Sequence, residues 1–383
     1  MIDTAHVSAW RHRLHELAET AFTEQRTAAF IAETLRELGI EVATGIGGTG
    51  LVGTLSRGTS TRSIGLRADM DALPLTERTG LPYASRTDGT MHACGHDGHM
   101  AMVLGAAAAL ATDTSFDGVV RFVFQPAEEP GKGAAAMIES GLFDRFPVDA
   151  MFGLHNIPGL PAGHIATREG AIMAGEDNFT IRIVGRGGHA SAPHLVVDPL
   201  VIAAEILLAL QTVVSRSVDP LEPAVVSATN IVTDGARNAI PTTVTITGDT
   251  RNFSRDVSEQ IEGRIRTLSA QIANAHGGTA DVVYTREFGT TMNDPQATRA
   301  AVQAALAAAG EGNADGSAAP IMGSEDFGLY AHHVPANFSF IGNGATGETG
   351  GTPLHSHDYN FNDEILPVGV RYYVALVRDQ LAP

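Results

Sequence analysis

Residues 119–131, VVRFVFQPAEEPG, join a short apolar run to a polar loop and contain the pattern that decides the fold. A short apolar run bounded by Gly, Pro or Asp is typical of a buried strand. Similar runs occur at residues 51–52, 64–68 and 151–154, after two segments (residues 7–17 and 31–38) whose apolar residues recur at helical spacing. Strands separated by helical stretches predict an α/β sheet, in which ligands bind beyond the carboxyl ends of the strands.

The middle of the chain has a different pattern. From residue 174 to residue 288, strand-like alternation and helical apolar stripes follow one another in the order β-α-β-β-α-β, which is typical of a ferredoxin-like sandwich. The chain then returns to Ala-rich helix and short strands. We therefore predict a discontinuous α/β domain at residues 1–173 and 289–383, interrupted by an inserted domain at residues 174–288.

The composition restricts the classes of function. The 383 residues include 25 Lys+Arg and 43 Asp+Glu, which gives a formal net charge of −18. A surface this acidic repels phosphate backbones and anionic lipids, so we expect no nucleic-acid partner and no membrane role. We also expect no signal peptide and no membrane-spanning segment. The single cysteine, Cys94, excludes an intrachain disulfide and favours a reducing compartment, so the predicted location is cytoplasmic.

The segment MHACGHDGH, residues 91–99, is the strongest candidate metal site. It places a lone thiol, Cys94, among three histidines, and this ligand set suits Zn²⁺ or a similar transition metal. Cys94 and His96 are two residues apart in a loop, so both side chains can turn toward one centre. The alternative is a buried structural cysteine beside surface histidines, and the further candidate ligands in the chain make it less favourable.

Those further candidates also lie in predicted loops. Glu128 and Glu129 directly follow the predicted strand at residues 119–124. Adjacent carboxylates point in different directions, so one can bind a metal while the other transfers protons. His155 ends another predicted strand, and His355 lies in a Gly-rich C-terminal loop. Taken singly, each of these residues is more often an ordinary surface or core residue, and only the set indicates a two-metal site.

Three other motifs have more than one interpretation. Asp71 follows the predicted strand at residues 64–68, and it either orients a metal-bound histidine or forms a turn. His189, in the segment GRGGHAS of the inserted domain, is either simply exposed or a proton donor brought to the site from a lid. The segment GIGGTG, residues 45–50, formally matches a dinucleotide fingerprint, but a strand rather than a helix follows it, so we reject nucleotide binding.

Taken in order, MHACGHDGH, QPAEE, GLHN, GRGGHAS and SEDF resemble the motifs of the metal-dependent aminoacylase/carboxypeptidase-like amidohydrolases. The nearest branch is that of hippurate hydrolase, bacterial N-acyl-amino-acid amidohydrolases and plant auxin-conjugate hydrolases. The resemblance covers essentially the whole chain. It implies a zinc-peptidase-like α/β catalytic domain with an inserted ferredoxin-like lid and dimerisation domain. It also implies metal-dependent hydrolysis of N-acyl-amino acids that carry an acetyl, benzoyl or indole-acetyl group.

The resemblance further implies a role for individual residues. The implied ligands of a two-metal site, with the thiolate bridging, are Cys94, His96, Glu129, His155 and His355. Glu128 becomes the general base and acid, and His189 supports the oxyanion in the active site of the other subunit of a homodimer. Asn230 and Arg251 contact the substrate, Arg251 through a carboxylate. His357 departs from the family pattern, and it either competes with His355 as a ligand or lines the pocket.

Two other functions stay open at this point. A dipeptidase or exopeptidase of the same architecture would prefer substrates with a free α-amino group. A non-catalytic metal-dependent binding protein would bind its ligand without turnover. The metal stays open among Zn²⁺, Mn²⁺, Co²⁺ and Ni²⁺, because ligand affinity and cellular supply both decide it.

Overall fold

The computed structural model describes residues 3–383, which divide into two compact units. The larger unit comprises the chain up to Ile172 together with Thr291–Pro320 and Glu325–Pro383. The smaller unit comprises Met173–Thr290 and the short segment Ile321–Ser324. The prediction of one insertion at residues 174–288 did not include this second segment, because four residues are too few to show a helix or strand pattern.

The helices and strands are given in chain order. The α-helices are α1 Thr4–Leu17, α2 Gln25–Glu37, α3 His96–Ala111, α4 Gly133–Glu139, α5 Leu142–Arg145, α6 Pro199–Ser217, α7 Arg255–Ala275, α8 Pro295–Ala309 and α9 Leu366–Gln380. The strands are β1 Glu41–Ile46, β2 Gly50–Arg57, β3 Ser63–Asp69, β4 Gly118–Gln125, β5 Ala150–Pro158, β6 Ile165–Ala166, β7 Gly170–Met173, β8 Gly175–Val184, β9 Gly188–His189, β10 Ala224–Thr233, β11 Ala239–Ile240, β12 Thr243–Asn252, β13 Thr279–Phe288, β14 Thr291–Asn293, β15 Ala314–Asp315 and β16 Ala336–Gly344. Short 3₁₀ helices lie at Pro193–Leu195, Asp326–His332 and Asp363–Ile365.

The larger unit contains an eight-stranded mixed sheet with the order β1-β2-β4-β3-β5-β16-β6-β15. The centre of this sheet is parallel, because β3 pairs in parallel with β4 and β5, and β16 pairs in parallel with β5. Every residue of β3 and β16 is buried, as expected for central strands of a sheet that is covered on both faces. The predicted α/β fold is confirmed, and the carboxyl ends of four strands lie at one edge of the sheet.

The core of the larger unit lies between this sheet and its helices. Phe122, Phe124 and Phe152 are fully buried in it, and each such side chain stabilises the fold by about 1.5–3 kcal/mol relative to exposure. Helix α3 packs against β3, α1 and α9 and is buried along most of its length, because its Ala and Gly residues allow close approach. The first residue of α3 is thereby held firmly near the edge of the sheet.

The smaller unit is a four-stranded antiparallel sheet with the order β10-β12-β8-β13. Its elements follow one another as β8-α6-β10-β12-α7-β13, which is the predicted β-α-β-β-α-β sandwich. Alternate residues of β8, including Phe179 and Ile181, are buried in a core that α6 and α7 complete with Ile206 and Ile261.

Helix α6 differs from what the sequence led us to expect. By length and composition alone, its 19 residues with a mean hydropathy of 1.6 would suffice to cross a membrane, so the expectation that no segment comes near a membrane span was wrong. A core helix of a globular unit passes the same test, and Ile202, Ile206 and Leu210 are buried in the smaller unit. Leu208, in contrast, is 72% exposed, so the helix also has an uncovered apolar side.

Candidate metal centre and active site

The candidate site lies in the larger unit, where the parallel strands end. Strand β3 ends at Asp69, just before Asp71, and β4 ends at Gln125, just before the segment that contains Glu128. His155 lies in the second half of β5, the neighbour of β3 in the sheet. The parallel register brings these chemically active residues to one place, although up to 86 residues of sequence separate them.

The thiol and the first imidazole come from the turn that begins α3. His96 is the first residue of the helix, and Gly95 precedes it with a φ of 97°. A Cβ atom at Gly95 would lie 2.2 Å from Asn156 Oδ1 and 2.7 Å from the hydroxyl oxygen of Tyr359, so only glycine fits here. Cys94 and His96 are both buried. The turn therefore presents both side chains to one centre, as the spacing in the sequence predicted.

All the ligands implied by the resemblance come together. Potential donor atoms of Cys94, His96 and Glu129 lie within 4.8 Å of one another. His155 Nε2 lies 3.4 Å from Cys94 Sγ, and His355 Nε2 lies 3.6 Å from Glu129 Oε2. His355 has a φ of 59°, and such left-handed backbone in a residue other than glycine is concentrated at functional sites.

Hydrogen bonds from Nδ1 leave the Nε2 atoms of the buried His96 and His155 rings facing the donor cluster. His96 Nδ1 donates to the backbone oxygen of Asp71 at 2.8 Å, and His155 Nδ1 donates to the backbone oxygen of Asn156 at 2.7 Å. In the neutral ring each Nε2 then has a lone pair, which is the form that binds a metal. Within the described residues, the buried atoms His96 Nε2 and Glu129 Oε1 have no hydrogen-bond partner. Buried ligand atoms that lack hydrogen-bond partners and lie in one cluster are suited to binding a cation.

The pKa shifts of the buried residues at the site also indicate a need for bound cations. Burial raises the pKa of the Cys94 thiol, and the Glu129 carboxylate raises it further. Burial also raises the pKa of Glu129 to about 7. Burial and the neighbouring His99 lower the pKa of His155, so this imidazole is neutral. A thiolate and a carboxylate buried together require positive charge, and divalent cations would supply it as they displace the protons.

Glu128 lies beside this donor cluster. Its side chain is buried, and its Oε2 lies 3.8 Å from His96 Nε2. Burial raises the pKa of Glu128, and the carboxylates of Glu325 and Glu129 raise it further. A carboxyl group with a raised pKa can accept a proton and return it near neutral pH.

Asp71 combines the two interpretations that the sequence left open. Its backbone oxygen orients the His96 ring by accepting from Nδ1, while its side chain accepts from backbone amides. Asp71 Oδ1 accepts from the N–H of Glu128 at 3.0 Å, and Oδ2 accepts from the N–H of Glu129 at 3.1 Å. One aspartate therefore positions a ligand and also the segment that carries both glutamates.

Several buried polar residues at the site were missed by the sequence analysis. Asp69 Oδ1 accepts from His99 Nδ1 at 2.6 Å, and Asp69 Oδ2 accepts from Arg67 at 2.8 Å. Both Asp69 oxygens are thus engaged, so Glu129 is the better carboxylate ligand although Asp69 also lies near His96. The sequence held one signal, since charged residues at positions 67 and 69 are unusual inside an otherwise apolar strand.

Two histidines of the quoted motifs are placed away from the donor cluster. His357 Nδ1 donates to the backbone oxygen of Thr76 at 2.6 Å, and the backbone oxygen of His357 accepts from the N–H of Arg78. His357 therefore fastens its loop to residues 76–78, and His355 is the histidine beside Glu129. His92 is fully buried, and burial lowers its pKa to about 4, so it is a neutral core residue.

The remaining predicted site residues belong to the smaller unit. His189 is exposed, and its Nδ1 accepts from the N–H and the hydroxyl of Ser191 at 3.1 and 2.7 Å. Asn230 is exposed on β10, just after an irregularity in the pairing with β12. Arg251 is paired with Glu176 at 2.8 Å and with Asp249 at 2.7 Å, so acidic side chains of the same unit already contact its guanidinium.

Comparisons with known proteins show the family to which the chain belongs. The family model described as peptidase family M20/M25/M40 matches residues 65–379. A hippurate hydrolase of Campylobacter jejuni is 41% identical over 366 residues, which cover 96% of this chain and 94% of the relative. An IAA-amino acid hydrolase of Arabidopsis thaliana is 36% identical over 371 residues, which cover 96% of this chain and 83% of the relative.

A solved structure gives the same result. A Bacillus subtilis protein described as a dinuclear metal binding peptidase from the M20 family has 33% identity and a TM-score of 0.84, with 99% of this chain and 98% of that chain covered. The resemblance inferred from the five sequence motifs is therefore confirmed, and the chain belongs to peptidase family M20/M25/M40.

Proposed function

We propose that this protein is a metal-dependent amidohydrolase that cleaves the amide bond of N-acyl-amino acids and releases a carboxylic acid and an amino acid. The observation that carries the proposal is Glu128, a buried carboxylate that no ligand role requires, beside the cluster of metal donors. The names of the relatives, a hippurate hydrolase and an IAA-amino acid hydrolase, confirm the reaction class predicted from the sequence.

Two divalent ions would be held by the five residues Cys94, His96, Glu129, His155 and His355. Donor atoms of Cys94, His96 and Glu129 lie within 4.8 Å of one another, His155 Nε2 lies 3.4 Å from Cys94 Sγ, and His355 Nε2 lies 3.6 Å from Glu129 Oε2. Such ions, when bound, polarise a carbonyl group and lower the pKa of water. We propose Zn²⁺, Mn²⁺, Co²⁺ or Ni²⁺, because thiolate and imidazole ligands favour transition metals over Mg²⁺ or Ca²⁺.

The residues of this chain perform the proton transfers. Glu128 accepts the proton of the attacking water and later gives it to the leaving amine nitrogen, so one carboxylate acts as base and then as acid. Asp71 keeps Glu128 in place through the backbone, since it accepts from the N–H of Glu128 at 3.0 Å. A positioned acid–base group contributes about 10²–10⁴-fold in rate.

The oxyanion requires a separate donor, for which we propose His189. Its Nδ1 accepts two hydrogen bonds from Ser191, so the proton of the neutral ring is on Nε2. The exposed Nε2–H can donate to a developing oxyanion, a contribution of about 10²–10³ in rate for one donor. We propose that Asn230 and Arg251 contact the substrate from the same unit, and Arg251 would then exchange one of its two acidic partners for the substrate carboxylate.

We further propose a homodimer that is formed through the smaller unit. Strand β10 is an edge strand, so one row of its backbone groups is unpaired within the sheet. Its residues Ile231 and Val232 are 47% and 57% exposed, and Leu208 of the neighbouring helix α6 is 72% exposed. An exposed edge strand beside exposed apolar side chains supports pairing with a second copy of the chain. In such a dimer His189 serves the metal site of the other subunit.

A cytoplasmic location is part of the proposal. Cys94 has to stay a reduced thiol in order to bind metal, and a reducing compartment maintains that state. Cell fractionation with an antibody against the protein would test it, and recovery in the periplasmic or secreted fraction would contradict it.

The test of the proposed function is amine release from a panel of substrates. The purified protein is treated with a chelator, reloaded separately with Zn²⁺, Mn²⁺ or Co²⁺, and assayed with acetyl, benzoyl and indole-acetyl amino acids and with dipeptides. We expect metal-restored hydrolysis of at least one acylated amino acid. Turnover of dipeptides alone would favour the peptidase function, and binding without turnover at every metal loading would contradict an enzymatic role.

A further inference from the structure

The segment that carries both glutamates has an unusual backbone. We call residues 126–129 the glutamate loop. Ala127 in this loop has a φ of 49° and is completely buried. A residue with a Cβ atom rarely adopts this left-handed conformation, and it persists only where the surroundings hold it. Ala127 immediately precedes Glu128, so its backbone sets the direction in which the two glutamate side chains leave the chain.

Three consecutive N–H groups of the loop donate to buried carboxylates. Two of them, at Glu128 and Glu129, donate to Asp71, as described above. The third, at Ala127, donates to Glu24 Oε1 at 2.9 Å. Asp71 is close to the metal donors, whereas Glu24 approaches from the opposite end of the loop, where helix α2 begins. The two carboxylates thus hold the loop at both ends.

Glu24 is itself held in position. Its side chain is fully buried, and its second oxygen, Oε2, accepts from the hydroxyl of Thr49 at 2.5 Å. Thr49 lies in the GIGGTG turn between β1 and β2, the segment for which nucleotide binding was rejected from the sequence. A Cβ atom at Gly50 of this turn would lie 2.8 Å from Cδ of Pro126, so the turn packs directly against the glutamate loop. The glycine-rich segment therefore has a structural explanation at the active site.

We propose that Glu24, supported by Thr49 and the GIGGTG turn, is a positioning residue for catalysis: it fixes the left-handed backbone at Ala127 and so aims Glu128 at the substrate and Glu129 at the metals. This proposal rests on the function proposed above for Glu128. It extends the active site to a residue that touches neither metal nor substrate and that lies more than a hundred positions before the loop in sequence.

The test compares Glu24→Ala with Glu24→Gln. In the alanine variant the N–H of Ala127 loses its acceptor, and we expect metal affinity, measured by competition with a chelator, to fall about 10–100-fold. At saturating metal we expect kcat to fall by up to about 10²-fold, because small displacements of catalytic groups have effects of this size. KM should change little. The glutamine variant should restore both quantities, since its amide oxygen accepts from Ala127 and its NH₂ group donates to Thr49.

Glu19 provides a matched control. It is a buried glutamate near the start of the same helix, where it accepts from the N–H groups of Arg26 and Thr27, and it makes no hydrogen bond to the glutamate loop. Glu19→Ala should lower the melting temperature without changing metal affinity or kcat. Equal losses in Glu19→Ala and Glu24→Ala would overturn the proposal, as would wild-type metal affinity and kcat in Glu24→Ala or an equally impaired Glu24→Gln.

Two further comparisons keep the test decisive. If Glu24→Ala does not fold, Thr49→Val removes the hydroxyl that holds Glu24 and Thr49→Ser retains it, so a smaller loss is expected in the valine variant alone. Identical valine and serine variants would then overturn the proposal. If the wild-type protein hydrolyses no N-acyl-amino acid, the proposed function fails, but the chelator competition still decides whether Glu24 positions Glu129.

Discussion

Glu128 and Glu129 are neighbours in the sequence, yet the structure gives them different environments. Glu129 has one oxygen 3.6 Å from His355 Nε2, and its other oxygen is a buried atom without a hydrogen-bond partner among residues 3–383. Glu128 lies among other carboxylates, and burial together with Glu325 raises its pKa. A carboxylate oxygen without a hydrogen-bond partner is suited to binding a cation, whereas a carboxyl group with a raised pKa is suited to proton transfer. The backbone after β4 thus directs the two side chains into different surroundings, one suited to metal binding and the other to proton transfer.

The first prediction concerns these two side chains. Glu128→Gln should lower kcat by about 10²–10⁴-fold while the metal content stays at the wild-type level, because the amide cannot accept a proton. Glu129→Gln should lose metal instead, because it removes a charged ligand. Steady-state kinetics and elemental analysis of both proteins distinguish the roles. Loss of metal in the Glu128 variant, with retention in the Glu129 variant, would show that the two assignments are reversed.

At the scale of elements, the local patterns predicted more than the long-range ones. Apolar runs placed β3, β4 and β5, and a parallel sheet then required their carboxyl ends to lie together, which is why His155 and Glu129 could be selected as candidate ligands. Nothing local predicted that Arg67 pairs with Glu325, 258 positions later, or that Asn156 Nδ2 donates to Tyr359. These contacts arise only from the three-dimensional packing of the strands, and no periodic pattern in the sequence predicts them.

The same limit applies to the role of Glu24. In the sequence it is one of several acidic residues around the start of α2, and Ala127 has a residue type that favours no turn. Only the hydrogen bond between them and the positive φ of Ala127 reveal their relationship. The candidate metal ligands were recognisable because thiol, imidazole and carboxylate are chemically distinctive, whereas a positioning carboxylate resembles any other.

A prediction at this scale concerns the uncovered side of α6 and β10. Leu208→Glu combined with Ile231→Glu should convert a dimer into monomers, because like charges repel each other and cannot be buried unpaired in an apolar interface. Val283→Glu is a matched control, since Val283 is 62% exposed but lies on β13, the opposite edge of the same sheet. Sedimentation equilibrium measures the mass of each variant. Dissociation caused by the Val283 variant alone would place the interface on the other edge.

The stability of the whole molecule should depend on pH through a pair of buried residues that joins two helices. His15 of α1 and Asp97 of α3 are both fully buried, and His15 Nδ1 lies 2.8 Å from Asp97 Oδ2. Burial alone would lower the pKa of His15, but the Asp97 carboxylate and the hydrogen bond to Glu77 together outweigh burial and raise the pKa to about 9. The unfolded chain has a pKa of about 6.5 at this residue.

A pKa that is raised on folding gives stability that is fully present below the unfolded value and is lost as the pH rises through the folded value. The free energy of unfolding should therefore fall by up to about 3 kcal/mol between roughly pH 6.5 and pH 9 through this pair. His15→Gln should reduce this pH dependence. Urea denaturation of both metal-free proteins at several pH values measures it, and parallel curves for the two would contradict the assignment.

If the protein is a dimer that exchanges His189 between subunits, its catalytic unit is larger than one chain. Glu128→Gln and His189→Ala should each be inactive alone, because one lacks the base and the other lacks the oxyanion donor. In a mixed dimer, the subunit that keeps Glu128 receives His189 from its neighbour, so one of the two sites is intact.

Refolding the two variants together should restore up to about a quarter of the wild-type activity, since random assembly makes half of the dimers mixed. Differently tagged variants allow the mixed dimer to be purified and assayed directly. If His189 instead served the site of its own chain, every site in the mixed dimer would lack one group, and the mixture would stay as inactive as its parents.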